Sequence, residues 1–235
     1  MIRNEDCIIG MRSIPSRSVD LIVCDPPYGA LKRGKVGWDE KLELGAMWAE
    51  FRRVIKKGGN ILIFASGSFV AEVIASNPRW YRYNLVWVKD RPTDFFHATQ
   101  KPMNAHEDIL VFGASSKHTY NSGVERDEEV VKVKEETTSK CYNAIKRRVR
   151  RSARKNYPTT ILRYPSVYKQ VVASQKPEGL IRDLVRMYSS EGDVVLDPCA
   201  GSGTTAIVCR DEGREYIGFE LNEKNYNIAV ERLKN

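Results

Sequence analysis

Residues 194–205 read VVLDPCAGSGTT, and this stretch decides the fold of the chain. A short apolar run that ends at Asp197 is typical of a buried strand. Gly201 and Gly203 then predict a turn that opens a helix, because glycine lets the backbone pass close beneath a ligand. Glu220 ends the next apolar run, at the place where doubly wound sheets present an acid to ribose hydroxyls. The stretch therefore predicts a nucleoside site in a doubly wound sheet.

The turn differs from the phosphate-binding patterns. It contains neither G-x-x-x-x-G-K-[ST] nor a complete G-x-G-x-x-G. A nucleoside that needs no phosphate therefore suits the site. The structural alternative is a tight helix start followed by a surface acid.

Strand and helix patterns alternate along most of the chain. Residues 18–25 and 60–66 predict buried strands, and residues 44–59 between them have apolar positions at helical spacing before a Gly-Gly stop. This alternation predicts an α/β fold with a mostly parallel sheet that is covered on both faces. Residues 114–168 are polar and weakly periodic, which predicts an insertion.

Residues 20–29, DLIVCDPPYG, place an acid, two prolines and an aromatic ring just after a strand. An exocyclic amine on a base is a poor nucleophile, because its lone pair is delocalised into the ring. Asp25 and the carbonyl of Pro26 offer two acceptors for its two N–H groups, and the carboxylate stabilises the positive charge that develops on nitrogen. Tyr28 offers a face on which a flipped base can stack. The alternative is a rigid turn with a helix-capping acid.

Together the two stretches resemble the β group of the amino-directed DNA methyltransferases that use S-adenosylmethionine. The resemblance rests on Asp25-Pro26-Pro27-Tyr28 and on residues 197–204, where Cys199 stands in place of the usual Phe. It implies a doubly wound, mostly parallel, seven-stranded Rossmann-like sheet. It also implies a catalytic half at 1–113, an inserted basic target-recognition region at 114–168 and a cofactor-binding half at 169–235.

The resemblance also implies the site residues. The catalytic set is Asp25, Pro26, Pro27 and Tyr28. Asp6 is expected to bond the cofactor adenine, and the SQKP stretch at 174–177 to flank its methionine end; a second copy, TQKP at 99–102, lacks the helix that should follow. The full cofactor-binding set is Asp6, Cys7, Ser174, Lys176, Pro177, Asp197, Pro198, Cys199, Ala200, Gly201, Ser202, Gly203, Thr204, Glu220 and Leu221. No metal is expected, because the sulfonium already makes the methyl electrophilic.

The distribution of charge along the chain indicates the kind of binding partner. The 235 residues carry a net charge of +8, and residues 137–177 contain no Asp or Glu. A basic segment of this kind indicates a polyanionic partner, here double-stranded DNA. We predict that Lys146, Arg147, Arg148, Arg150, Arg151, Arg154 and Lys155 contact the DNA backbone. A solvated charge run is the alternative.

The five cysteines are scattered, and no segment has the roughly 18 apolar residues of a membrane span. Both features favour a cytoplasmic enzyme of a prokaryotic cell or phage-infected host that does not meet a membrane. A homodimer and a partner nuclease are left open.

The predicted reaction is transfer of a methyl group from S-adenosylmethionine to N6 of a flipped adenine at a specific DNA sequence. Asp at the first position of the catalytic motif favours adenine, whereas N4 of cytosine is the alternative. Methylation of RNA or of a protein glutamine is less favoured, because the motif order and the basic segment favour DNA. A non-catalytic DNA-binding regulator is less favoured, because both motifs are intact.

The basic segment generates the first prediction. Neutralising Arg147, Arg148, Arg150 and Arg151 should weaken DNA binding and flatten its salt dependence, because each lost phosphate contact reduces counterion release. Binding measured over a range of salt concentrations checks this, and an unchanged slope would contradict a backbone-contact role.

Overall fold

The computed structural model describes residues 1–28, 42–123 and 157–234. The chain divides into two compact units, one formed by residues 1–121 with 160–235 and the other by residues 122–159. Most of the smaller unit, including all seven basic residues predicted to contact DNA, lies outside the described residues. Its role as a recognition region therefore stays a prediction.

The larger unit contains an eight-stranded sheet within the described ranges, in the order β1-β8-β7-β2-β3-β5-β4-β6. The pairings are parallel, except that β5 runs antiparallel to its neighbours β3 and β4. The strands are β1 (Ile2–Arg3), β2 (Val19–Cys24), β3 (Ile55–Ala65), β4 (Tyr81–Thr93), β5 (Asn104–Phe112), β6 (Ile161–Arg163), β7 (Val194–Asp197) and β8 (Glu215–Phe219).

The described residues contain six α-helices, of which five lie between strands and α6 follows the last strand. They are α1 (Cys7–Met11), α2 (Leu44–Val54), α3 (Ser68–Ser76), α4 (Glu178–Tyr188), α5 (Thr204–Asp211) and α6 (Glu223–Lys234), and a short 3₁₀ helix spans Phe95–His97. None of the helices in these ranges is long and apolar enough to cross a membrane.

Strand side chains alternate between two hydrophobic cores. Ile22 and Ile61 belong to the core that also contains Met47 and Phe51 of α2, whereas Leu21 and Leu62 belong to the core beneath α4 and α5. Successive side chains of a strand point to opposite faces, so this pattern requires a sheet that is covered on both sides. The doubly wound architecture follows directly from these apolar runs.

Two predicted boundaries were wrong. The helix predicted over 44–59 ends at Val54, and Ile55 already pairs with Val19 of β2. Gly59 is required by close packing rather than by a helix stop, since a Cβ there would lie 2.6 Å from the Asp20 carbonyl oxygen. The sheet also has eight strands rather than seven, because Ile161–Arg163, predicted to belong to the insertion, extends its edge beside β4.

Gly203, at the start of α5, generates a stability prediction. Its φ is 74°, and a Cβ there would lie 3.0 Å from the Cβ of Ala229 in α6. Gly203→Ala should therefore cost about 1–2 kcal/mol of left-handed strain and about 1–3 kcal/mol of overpacking, measured as the free energy of unfolding in urea.

Gly192→Ala is the matched control. Its φ is 81°, but a Cβ there meets no heavy atom within 4 Å among the described residues, so it carries strain without the clash. Equal losses of stability in the two variants would show that the packing of α5 on α6 does not require glycine.

Candidate active site

The site lies at the carboxyl ends of the neighbouring parallel strands β1, β8, β7 and β2. An acid stands at or just beyond each carboxyl end: Asp6, Glu220, Asp197 and Asp25. Because these strands are neighbours and parallel, the four acids come together at one edge. A cavity of about 820 Å³ opens there, and all four acids line it.

Most residues predicted from the sequence line this cavity. They are Asp6, Cys7, Asp25, Pro26, Pro27, Tyr28, Ser174, Lys176, Asp197, Pro198, Cys199, Ala200, Gly201, Ser202, Thr204, Glu220 and Leu221. Two predicted residues are placed elsewhere. Pro177 precedes α4 as its N-cap residue, and Gly203 packs against α6. Both support the site through the helices that they begin.

The turn that contains Asp25 is held by its own aromatic residue, Tyr28. The Tyr28 hydroxyl donates a hydrogen bond of 2.8 Å to Asp25 Oδ1, and the Tyr28 ring stacks on Phe69 with centroids 5.2 Å apart. Burial, followed by the nearby Asp25 charge, raises the pKa of Tyr28 well above its usual value. Tyr28 is therefore a neutral donor that orients the Asp25 carboxylate.

A buried lysine holds the other oxygen of Asp25. Lys176 Nζ lies 2.6 Å from Asp25 Oδ2 and 3.2 Å from Glu107 Oε2, and Glu107 Oε1 lies 2.5 Å from Lys89 Nζ. Burial opposes the charge of Lys176, but Asp25 and Glu107 outweigh it and raise the pKa of Lys176. The four side chains form a line of alternating charges.

The glycine turn binds the acid that follows β8. The Gly201 backbone N–H donates a hydrogen bond of 2.8 Å to Glu220 Oε2, and the Asn222 backbone N–H donates one of 2.8 Å to Oε1. Gly201 has a φ of 51°, and the nearest atom to a Cβ built there is the Cys199 carbonyl oxygen at 3.9 Å. The turn thus leaves space beside a fixed carboxylate.

Asp197, at the end of β7, is the most perturbed acid of the site. Burial raises its pKa to about 7, hydrogen bonds from Thr205 and the Cys199 N–H act in the opposite direction, and the charges of Asp25 and Glu220 raise it further. Asp197 is therefore partly protonated near neutrality, while Glu220 beside it is held by backbone donors.

Asp6 and the cysteines form the side of the cavity near α1. Asp6 accepts a hydrogen bond of 2.9 Å from the Ile9 backbone N–H and so begins α1. Sulfur contacts with Cys199 and burial raise the pKa of Cys7, and the pKa of Cys199 is raised as well. Both thiols stay neutral. Cys199 packs against the hydrophobic core, as a small apolar residue does.

Sequence reasoning missed Glu107 and Lys89, which complete the line of charges. The stretch around Glu107 predicts a strand correctly, but nothing local shows that β5 lies between β3 and β4. The sequence signal is a pair of acids, Glu107 and Asp108, directly before the apolar end of the strand. Among the described residues, no group of three or more His, Cys, Asp or Glu side chains is placed to hold a metal ion.

A doubly wound sheet with acids after four neighbouring strands and a glycine turn between them is typical of nucleoside-binding enzymes. A family model described as DNA methylase matches residues 19–231. The chain therefore belongs to the DNA methylase family, which confirms the predicted family.

The sequences of two relatives align with almost the whole of this chain. Type II methyltransferase M.HinfI of Haemophilus influenzae is 28% identical over 258 aligned positions, which cover 97% of this chain and 67% of the relative. DNA adenine methyltransferase YhdJ of Escherichia coli (strain K12) is also 28% identical, with coverage of 97% and 80%.

Solved structures share the fold. M1.HpyAVI in complex with SAM superposes with a TM-score of 0.70 at 20% identity, covering 100% of this chain and 99% of that one. The cytosine-N4-specific PvuII DNA methyltransferase gives a TM-score of 0.72 at 15% identity, covering 98% and 85%. These similarities confirm the predicted α/β fold class.

Asp197 generates a pH prediction. A carboxyl whose pKa is raised from 3.8 to about 7 on folding destabilises the native state as pH rises through that window. The free energy of unfolding of the wild type should therefore fall between about pH 4 and 7, relative to Asp197→Asn, by roughly 1.4 kcal/mol per pH unit.

Chemical denaturation of both proteins across this range measures the difference. Asp197→Asn is a suitable reference because its amide oxygen can still accept from the Cys199 N–H. Parallel pH profiles for the two proteins would contradict the raised pKa.

Proposed function

We propose that the protein transfers the methyl group of S-adenosylmethionine to N6 of an adenine in DNA. One observation carries the proposal. The Asp25 turn, which suits an amine, and the glycine turn with Glu220, which suits a nucleoside, line the same cavity. Donor and acceptor of one group transfer would thus meet in a single site.

The residues present fit S-adenosylmethionine. A cavity of about 820 Å³ is in the range of cofactor sites. The oxygens of Glu220 are fixed by backbone donors, as a ribose-binding acid requires, and Gly201 leaves room for the nucleoside. When bound, this cofactor supplies a methyl group made electrophilic by its sulfonium.

The chain's own residues act on the amine. Asp25 and the Pro26 carbonyl would accept its two N–H groups, which favours a pyramidal nitrogen whose lone pair faces the methyl. Asp25 then stabilises the positive charge on nitrogen. The prolines at 26 and 27 have fixed φ and no N–H, so no donor of the turn competes with the amine. Tyr28 holds Asp25 and offers its ring to a base flipped out of the duplex.

Adenine is favoured over cytosine for two reasons. Asp25 occupies the first position of the catalytic motif, and one relative is named a DNA adenine methyltransferase. The fold shared with a cytosine-N4-specific enzyme keeps N4-methylcytosine as the second candidate. Mass spectrometry of nucleosides from DNA of expressing cells distinguishes the two products.

The basic segment of the unit formed by residues 122–159 is proposed to recognise the DNA target. Its charge suits a phosphate backbone, and it interrupts the two halves of the methyltransferase sequence. A cytoplasmic location stays a prediction from the sequence, and a homodimer and a partner nuclease stay open.

The central test is Asp25→Ala. Loss of the acceptor for the amine should reduce methyl transfer to DNA by about 10³-fold or more, in line with the loss of a group that stabilises transition-state charge. Binding of S-adenosylmethionine, measured by calorimetry, should change little, because the glycine turn and Glu220 are untouched.

Transfer of labelled methyl groups is measured in parallel on DNA, RNA and protein. Labelling of RNA or protein in place of DNA would support the other methyltransferase candidates, and no labelling of any substrate would support a non-catalytic regulator. Full activity of Asp25→Ala on DNA would end the assignment of Asp25.

A further inference from the structure

Lys176 is an unusual residue for the wall of a cofactor site. Only 8% of its surface is exposed, and its ammonium lies 4.9 Å from the centroid of the Phe64 ring. A buried charge is costly unless it is paired. Lys176 is paired twice, with Asp25 at 2.6 Å and with Glu107 at 3.2 Å.

Glu107 contributes more than packing. Its Oε2 is buried and lies 3.2 Å from Lys176 Nζ. Its Oε1 pairs with Lys89, whose ammonium lies 5.0 Å from the centroid of the Trp87 ring. Burial disfavours the charged carboxylate, but Lys176 and Lys89 together hold the pKa of Glu107 below its usual value. Glu107 therefore stays ionised and keeps Lys176 charged.

Asp25 lies among other acids. The charged or titratable groups around it come from four elements. Lys176 before α4 contacts it, Glu107 on β5 contacts Lys176, and Asp197 lies on β7. Cys24 at the end of β2 and Tyr28 flank it in its own segment. Among these, Lys176 is the cation. Without it, Glu107 and Asp197 would favour protonation of Asp25. A protonated Asp25 would lose an acceptor that the amine needs.

We propose that Lys176 is a positioning residue for catalysis, which fixes Oδ2 of Asp25 and places a positive charge beside it, while Glu107 anchors Lys176. The proposal rests on the proposed function and deepens it. It differs from the role that the resemblance implies, in which residues 174–177 flank the methionine end of the cofactor. Tyr28 fixes the second oxygen of Asp25, so both oxygens have defined directions before the base arrives.

Lys176→Met and Lys176→Gln test the proposal. Met retains the length of the side chain without donors, and Gln retains a donor without charge. Both should lower kcat for methyl transfer to DNA at pH 7 at least tenfold, and both should move the acidic limb of the pH profile to higher pH, so that much of the rate returns at alkaline pH. The dissociation constant for S-adenosylmethionine should stay within about threefold of the wild-type value, as expected for a group that does not bind it.

Lys56→Met is the matched control. Lys56 pairs with Asp20 at 2.7 Å, but Asp20 lies near the start of β2, at the sheet edge opposite the site. This variant also breaks a lysine–aspartate pair, and its kcat and pH profile should match those of the wild type.

The double variant Lys176→Met with Glu107→Gln separates charge from geometry. Removing the negative charge of Glu107 should move the acidic limb part of the way back toward lower pH, because one like charge beside Asp25 is gone. No such shift would mean that Lys176 acts only by filling space, and the proposal would be wrong.

A second measurement does not depend on activity. In protein labelled with ¹³C at aspartate Cγ, the Asp25 resonance, assigned by its loss in Asp25→Asn, should titrate at higher pH in Lys176→Gln than in the wild type. Unchanged titration in both Lys176 variants would overturn the proposal, provided that thermal unfolding shows them folded.

The two proposals fail in different ways. A wild-type protein that labels no DNA contradicts the proposed function, while the aspartate titration still reports on Lys176. A wild-type protein that labels DNA, together with Lys176 variants whose kcat and pH profiles are unchanged, contradicts the role of Lys176 alone.

Discussion

The site depends on one electrostatic constraint, which is the meeting of four acids at one sheet edge. Parallel pairing of β1, β8, β7 and β2 brings Asp6, Glu220, Asp197 and Asp25 to the same cavity. Like charges at short range in a partly buried site repel, so each acid needs its own compensation. Much of the surrounding structure supplies this electrostatic compensation.

Three of the four acids have different environments, and these differences divide their roles. Glu220 accepts two backbone N–H groups, which suits a carboxylate that must stay charged. Asp197 is left buried, and its pKa rises to about 7. Asp25 has a cation on one oxygen and a neutral hydroxyl on the other. Carboxyl groups of similar intrinsic acidity thus acquire separate tasks from their environments alone.

The sequence predicted features that are encoded locally and missed those that depend on contacts between distant segments. The strand ending in Asp197 and the turns at Asp25 and Gly201 follow from short patterns, and the structure places all three at one cavity. The end of α2 was predicted wrongly because Gly59 looks like a helix stop. A glycine is required at this position because a side chain would clash with the Asp20 carbonyl oxygen on the neighbouring strand. Glu107 was missed because the position of β5 is fixed only by its partners in the sheet.

Lys176 joins parts of the chain that are far apart in sequence. It precedes α4, in the half of the sequence that is proposed to bind the cofactor. It contacts Asp25 after β2 and Glu107 on β5, both in the half that is proposed to be catalytic. Its neighbours Ser174 and Gln175 line the same cavity. A displacement of this segment would therefore change both the wall of the cavity and the compensation of Asp25. Lys176 itself is buried against Phe64, so the contacts of this one side chain join the two segments at the proposed catalytic site.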